Sequence, residues 1–212
     1  MHWIDHDFLP AIAGTVERFI INPKGEIDGL VLMYDRDRFL LIHVPPHLDP
    51  DVESSIKRGD NIHVRGLRPR GADMVAAVSL TAADGTAIVD NGPGHAPKRR
   101  DDAPEHKPSR IEIAGIVRMS LYGPKGDLRG ALLDDGSIVR ISPKEGAAFA
   151  DLLRPRAGIA VRGEGIETPH GRAVAAKEIG TTFGELRPVK KREHHGAHEG
   201  ENEPEADALS VA

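Results

Sequence analysis

The sequence contains no cysteine among its 212 residues, and only 4% of the residues are aromatic. Disulfide scaffolds, iron–sulfur clusters and cysteine-ligated zinc sites are therefore excluded. No apolar run approaches the roughly 20 residues that a membrane-spanning helix needs. The first residues, 1–7, have neither the positive stretch nor the apolar stretch of a secretory signal. We therefore expect a soluble cytoplasmic protein without a membrane partner.

Glycine and proline are abundant, with 23 and 16 residues respectively. Such a composition disfavours a helical bundle and indicates turn-rich β-structure. The net charge is −5, which is not typical of a protein whose whole surface attracts nucleic acid.

The chain contains two copies of one unit. Five stretches recur in the same order: Ala13–Val16 as Ala114–Val117, Pro23–Glu26 as Pro124–Asp127, Gly29 as Gly130, Ile62–Gly66 as Ile159–Gly163, and Val75–Ala77 as Val174–Ala176. Two copies are too few for a solenoid, so each copy is expected to close its own core.

Five segments follow from the repeat and from the composition between its copies. We expect an N-terminal extension at 1–9, a first domain at 10–90, a linker at 91–109, a second domain at 110–189 and a tail at 190–212. The linker is rich in glycine, proline and charge and lacks hydrophobic periodicity. The tail has few apolar residues, which predicts disorder.

Each copy has the same order of predicted elements, β-β-β-α-β-β. Asn22–Gly25 fits a type I turn. Asp134–Ser137 fits a tight hairpin turn, and the corresponding loop of the first copy is predicted to be about four residues longer. The helix is expected to be capped by Asp49 in the first copy. In the second copy a capping box spans 142–145, and the helix should end before Pro155.

This element order, with glycines where a small barrel must bend, resembles the OB-fold, a five-stranded barrel with a helix between its third and fourth strands. The chain therefore resembles a tandem OB-fold protein of bacterial type. The predicted fold class is all-β, with one short helix per repeat and two tandem five-stranded OB-like barrels. A small barrel of the SH3 type is the alternative.

The resemblance implies binding of single-stranded nucleic acid or oligosaccharide across strands two and three, framed by the loops after strands one and four. Strand alternation places His43, His63 and Arg65 away from the first core, and Arg118, Arg140 and Arg162 away from the second. Cations on three neighbouring strands could follow the phosphates of a nucleic acid. The predicted nucleic-acid-binding residues are Arg118, Lys125, Arg140, Lys144, Arg162, Tyr34, Phe39, His43 and Arg65.

Charge and aromatic content limit this prediction to modest affinity. Residues 10–90 have a net charge of −3 and residues 110–189 a net charge of +2, so phosphate contacts are expected mainly from the second barrel. Tyr34 and Phe39 could stack on bases, but they lie in the acidic copy. Outward arginines that only keep the surface soluble are the alternative interpretation.

Other functions were weighed against nucleic-acid binding. The sequence has no nucleophile elbow, zinc-protease motif, Walker loop or dinucleotide-binding fingerprint, so we expect neither catalysis nor a cofactor. One alternative is a protein-interaction adaptor that uses the barrels as scaffolds and has a protein partner. The other is binding of zinc, nickel or copper by the tail residues His194, His195 and His198.

Overall fold

A computed structural model describes residues 6–93 and 107–189 of the chain. Most of the predicted linker, the whole predicted tail and the proposed metal ligands His194, His195 and His198 lie outside these residues. Within the described ranges, no helix is long and apolar enough to cross a membrane.

The first copy forms a closed five-stranded barrel with one added edge strand. Its elements are β1 (Ala11–Ile21), β2 (Ile27–Asp35), β3 (Arg38–His43), α1 (Asp49–Ser55), β4 (Asn61–Leu67), β5 (Met74–Thr81) and β6 (Ala87–Val89). The strand order is β3-β2-β1-β4-β5-β6, and parallel pairing of β3 with β5 closes the barrel.

The second copy repeats this arrangement. Its elements are β7 (Ser109–Tyr122), β8 (Leu128–Leu133), β9 (Ile138–Arg140), α2 (Pro143–Gly146), β10 (Gly158–Thr168), β11 (Gly171–Gly180) and β12 (Arg187–Pro188). The strand order is β10-β7-β8-β9-β11-β12, and pairing of β10 with β11 closes the barrel. The prediction of an all-β chain with two tandem five-stranded OB-like barrels is confirmed.

The repeated Pro-Lys-Gly segment forms the same turn in both barrels. The backbone N–H of Gly25 donates to the carbonyl oxygen of Asn22 at 3.0 Å, and that of Gly126 donates to Gly123 at 2.9 Å. Gly25 and Gly126 have φ angles of +89° and +82°, where a side chain would be strained. The repeat of this motif is therefore explained by turn geometry.

The hairpin in the first copy differs from the prediction. The four additional residues do not lengthen a loop, because β2 continues to Asp35 and β3 begins at Arg38. Tyr34 accordingly lies on a strand. Cross-strand pairing of the added residues satisfies backbone groups that a longer loop would leave to water.

The first helix cap was predicted at the wrong residue, and the second was predicted at the right residue but lacks its side-chain hydrogen bond. Leu48 occupies the N-cap of α1, because the Asp49 carboxylate instead accepts a hydrogen bond from the backbone of Ile27 at 2.7 Å. Ser142 makes no side-chain cap, and α2 has only four residues before a 3-10 turn that ends at Phe149. Phe149 and Leu153 are buried in the second core, so packing determines the path of this segment more than its capping signal does.

Candidate nucleic-acid interface

In the first barrel, the outward face of β1, β2 and β3 is covered rather than exposed. The strand register pairs Arg18 with Val31, Val31 with Leu41, and Gly29 with His43, which places these side chains on one face. Val31 and Leu41 are nevertheless fully buried. Something other than their own barrel core must therefore pack against this face.

The covering surface is the corresponding face of the second barrel. Leu132 pairs with Ile138, and Gly130 pairs with both Leu121 and Arg140, so these side chains share the outward face of β7, β8 and β9. Leu121, Leu132 and Ile138 are buried in one continuous apolar cluster with the core of the first barrel. We call these two surfaces the paired faces. They are the surfaces on which the resemblance implies ligand binding.

Arg140 lies between the paired faces. Its guanidinium forms an ion pair with Asp28 and donates to the carbonyl oxygen of Ile21 from two nitrogens, at 3.2 and 3.1 Å. Only 11% of its side chain is exposed. Burial raises the pKa of Asp28, against the opposing effect of the Arg140 charge. The expectation that Arg140 is a free surface cation is therefore wrong, because the other barrel covers it.

Arg118 and Phe39 also contact each other across the paired faces. The Arg118 guanidinium lies 4.6 Å from the centre of the Phe39 ring and 3.1 Å from the Glu17 carboxylate. Arg118 is thus held by a carboxylate, which it shares with Arg18 at 3.1 Å. The exposed face of the Phe39 ring carries a guanidinium where a base would have to stack.

His43 points away from its own core, as strand alternation predicts, but it is only 9% exposed because the second barrel covers it. Burial, together with the nearby charges of Arg129 and Arg140, lowers the pKa of His43 to about 4. His43 is therefore neutral at physiological pH and contributes no charge for a phosphate.

The pKa of His43 makes stability depend on pH. Between pH 6.5, the ordinary pKa of histidine, and about pH 4, His43 is protonated in the unfolded chain but neutral in the folded protein. The contribution of neutral His43 to the free energy of unfolding is therefore complete above pH 6.5 and is lost as the pH falls toward 4. Between about pH 7 and pH 4.5 this lowers the free energy of unfolding by about 2 kcal/mol.

Denaturant unfolding at both pH values measures this loss, with a His43→Gln variant as the control. The variant should lack that part of the pH dependence, since glutamine does not titrate. If both proteins lost the same free energy of unfolding between the two pH values, His43 would not be the cause of this pH dependence.

Two more of the predicted cations, Arg162 and Arg65, already have partners within the protein. Arg162 forms ion pairs with Glu112 at 2.7 Å and Glu178 at 2.9 Å on the neighbouring strands, and these hydrogen bonds raise the pKa of Arg162. Arg65 donates from Nη1 to the carbonyl oxygens of Asp7 and Leu9, both at 2.9 Å, which fastens the segment before β1.

The remaining predicted residues are Tyr34, Lys144 and Lys125. Arg38 lies over the Tyr34 ring, with its guanidinium carbon 5.0 Å from the ring centre. Lys144 and Lys125 are exposed. The predicted residues therefore do not form one continuous cationic stripe.

A different group of cations meets where a loop of each barrel touches the other. A Cβ atom on Gly126, in the β7–β8 turn, would lie 3.1 Å from Pro69 and 3.5 Å from Ala72, in the β4–β5 loop. Arg68 and Arg70 flank Pro69, and Lys125 precedes Gly126, so all three cations lie around this contact. We call Arg68, Arg70 and Lys125 the junction cluster.

The junction cluster is exposed and lacks ion pairs within the described residues. These loops contain two acidic residues. Asp127 forms an ion pair with Arg129 at 2.6 Å, so Asp73 is the remaining acidic residue near the cluster. Of the junction cluster, Lys125 was predicted from the sequence, whereas Arg68 and Arg70 were not. The Arg-Pro-Arg segment could have indicated them, because it lies in the loop after strand four, one of the two loops that frame OB-fold ligands.

A groove of about 680 Å³ lies between the barrels, beside α1 and the β10–β11 turn. His170 meets the Phe19 ring edge-on at 5.0 Å, and its Nε2 lies 3.2 Å from the Glu53 carboxylate. Lys57 and Arg58 share the lining with several carboxylates. This mixture of charges suits a polyanion less well than the junction cluster does. No group of three or more potential metal ligands occurs within residues 6–93 and 107–189.

Comparison with known proteins does not identify a family for this chain. No protein-family model matches the chain, and no curated protein matches it. Among solved structures, a deletion mutant of the single-stranded DNA binding protein from Thermus aquaticus is 15% identical, over 87% of this chain and 96% of that chain, with a TM-score of 0.24. At that score the chains do not superpose as a whole, so the fold assignment rests on strand order and closure. The bacterial type stays a prediction.

Proposed function

We propose that this chain is a non-enzymatic cytoplasmic protein that binds single-stranded nucleic acid with modest affinity, through the junction cluster. The observation that supports the proposal is that two touching loops, one from each barrel, carry three exposed cations that have no ion-pair partner within residues 6–93 and 107–189. In OB-folds, the loops after strands one and four frame the ligand. Here one such loop comes from each barrel.

The covered strand faces explain why the affinity should be modest. Stacking of bases on aromatic rings contributes about 1–3 kcal/mol per base in single-strand binders. Phe39 and Tyr34 each carry a guanidinium on the ring, so these two rings do not supply this contribution. Binding would then depend on phosphate contacts, with little preference for sequence.

Reversing the three charges tests the proposal. The variant Arg68→Glu, Arg70→Glu, Lys125→Glu should lose binding to labelled single-stranded DNA and RNA, measured by fluorescence anisotropy at about 50 and 200 mM salt. For the unmodified protein, three phosphate contacts predict a slope of log affinity against log salt of about −2.

The matched control reverses Arg36, Arg154 and Arg156, which are exposed cations in the β2–β3 turn and before β10. It changes the net charge equally and leaves every predicted nucleic-acid-binding residue in place. We expect its affinity to stay within about threefold of the unmodified protein, since it leaves the phosphate contacts intact. Equal loss in both variants, or binding that is insensitive to salt, would rule out the junction cluster as the site.

A protein-interaction adaptor is the second candidate. Three large apolar side chains favour it, because Phe8, Ile116 and Leu67 are 87%, 53% and 47% exposed. Purification with one stoichiometric protein, and without nucleic-acid absorbance at 260 nm, would support this function over the first.

A further inference from the structure

The paired faces carry opposite charges at positions that the repeat makes equivalent. In the register that aligns Ala13–Val16 with Ala114–Val117, Glu17 corresponds to Arg118. In the same register Asp28 corresponds to Arg129. The first barrel therefore presents acids where the second presents bases.

One of these equivalent pairs is in direct contact. Glu17 and Arg118 form an ion pair at 3.1 Å, with 20% and 30% of their side chains exposed. The Glu17 carboxylate also accepts a hydrogen bond from Nε of Arg18, on its own strand, at 3.1 Å. Contact between equivalent residues places them at an approximate two-fold axis that relates the barrels. Further contacts run in both directions across this axis, since Arg118 lies on Phe39 of β3, and Arg18 lies against Gly136 in the turn before β9.

We infer that the paired faces form a heterotypic docking pair, in which each barrel accepts the other and rejects a second copy of itself. Two second barrels in this arrangement would place Arg118 against Arg118 with no carboxylate between them. Two first barrels would place Glu17 against Glu17, and each carboxylate would keep only Arg18 of its own strand. Like charges at a half-buried site oppose association. The apolar residues Leu121, Leu132 and Ile138 provide affinity, while the charges provide the choice of partner.

It follows that the barrels stay associated without the covalent connection. The test uses the full chain with a protease site inserted between residues 94 and 106 and cleaved after folding. Native mass spectrometry and size-exclusion chromatography should show one 1:1 species with the mass of the uncleaved protein. Separation of the halves at micromolar concentration, or abundant pairs of like halves, would overturn the inference.

A charge exchange tests the selectivity directly in the same cleaved protein. Glu17→Arg alone and Arg118→Glu alone should each raise the dissociation constant of the halves at least tenfold. The double variant should restore it to within about threefold of the original, because the pair is re-formed in reverse. Arg154→Glu, an exposed charge before β10, serves as the control and should leave the constant unchanged.

Single variants that fail to fold are replaced by the neutral pair Glu17→Gln and Arg118→Gln, which removes the charges without adding repulsion. Strictly additive effects of the two changes would show that these residues do not recognise each other, and would overturn the inference. Coupling between them supports it. The outcome is independent of nucleic-acid binding, because neither residue belongs to the junction cluster.

Discussion

Replacing Arg140 with methionine is expected to lower the free energy of unfolding by about 3–5 kcal/mol, the usual cost of removing one partner from a buried ion pair. The change leaves the Asp28 carboxylate buried without its counter-charge. It also removes two hydrogen bonds to the carbonyl oxygen of Ile21. Urea unfolding followed by circular dichroism measures the loss.

A second substitution distinguishes loss of the ion pair from loss of packing. Adding Asp28→Leu to Arg140→Met removes the stranded carboxylate and should recover a large part of the stability. Lys144→Met, at an exposed site in α2, should change stability by less than about 0.5 kcal/mol. A loss as small as that of the control would contradict the prediction, and would show that the Asp28 carboxylate is compensated without Arg140, by water or by the nearby Arg129.

Gly163→Ala is expected to destabilise the second barrel by about 3 kcal/mol or more, since overpacking against fixed backbone is costly. A Cβ atom there would approach the carbonyl oxygen of Ala175 well inside the 3.0 Å that real Cβ contacts respect. The equivalent Gly66 faces the carbonyl of Ala76 in the same way. The repeated glycine is thus required by the close approach of β10 to β11, at a register shift in their pairing.

Gly158→Ala provides the control on the same strand. No atom lies within 4 Å of the position that its Cβ would take. Thermal unfolding should show little change for this variant, or a slight stabilisation because the unfolded chain loses freedom. Similar melting temperatures for the two variants would mean that β10 moves to accommodate the methyl group at Gly163.

The features that depend on neighbouring residues were predicted correctly. The order of the strands along the chain and the Pro-Lys-Gly turns follow from alternation, turn chemistry and the repeat, whereas the closure of two five-stranded barrels was implied by the resemblance to the OB-fold. Side-chain capping of the helices was predicted but does not form, because tertiary contacts compete with it. The Asp49 carboxylate accepts a hydrogen bond from the backbone of Ile27 instead of capping the helix, and burial of Phe149 bends the chain into a 3-10 turn.

The binding surface could not be predicted by the same reasoning. Alternation shows that a side chain leaves its own core, but not whether it meets water or another domain. His43 and Arg140 were correctly placed outside their barrels, yet both are buried between them. A signal was present in the apolar residues Val31, Leu41, Leu132 and Ile138, which share these outward faces and would be costly to expose.

The shared apolar cluster also has a consequence for how the chain tolerates substitutions. Because each barrel covers an apolar face of the other, a change that loosens one barrel exposes apolar surface on its neighbour. Exposed apolar patches of this kind favour aggregation. A destabilising substitution in either copy is therefore expected to lower the solubility of the whole chain.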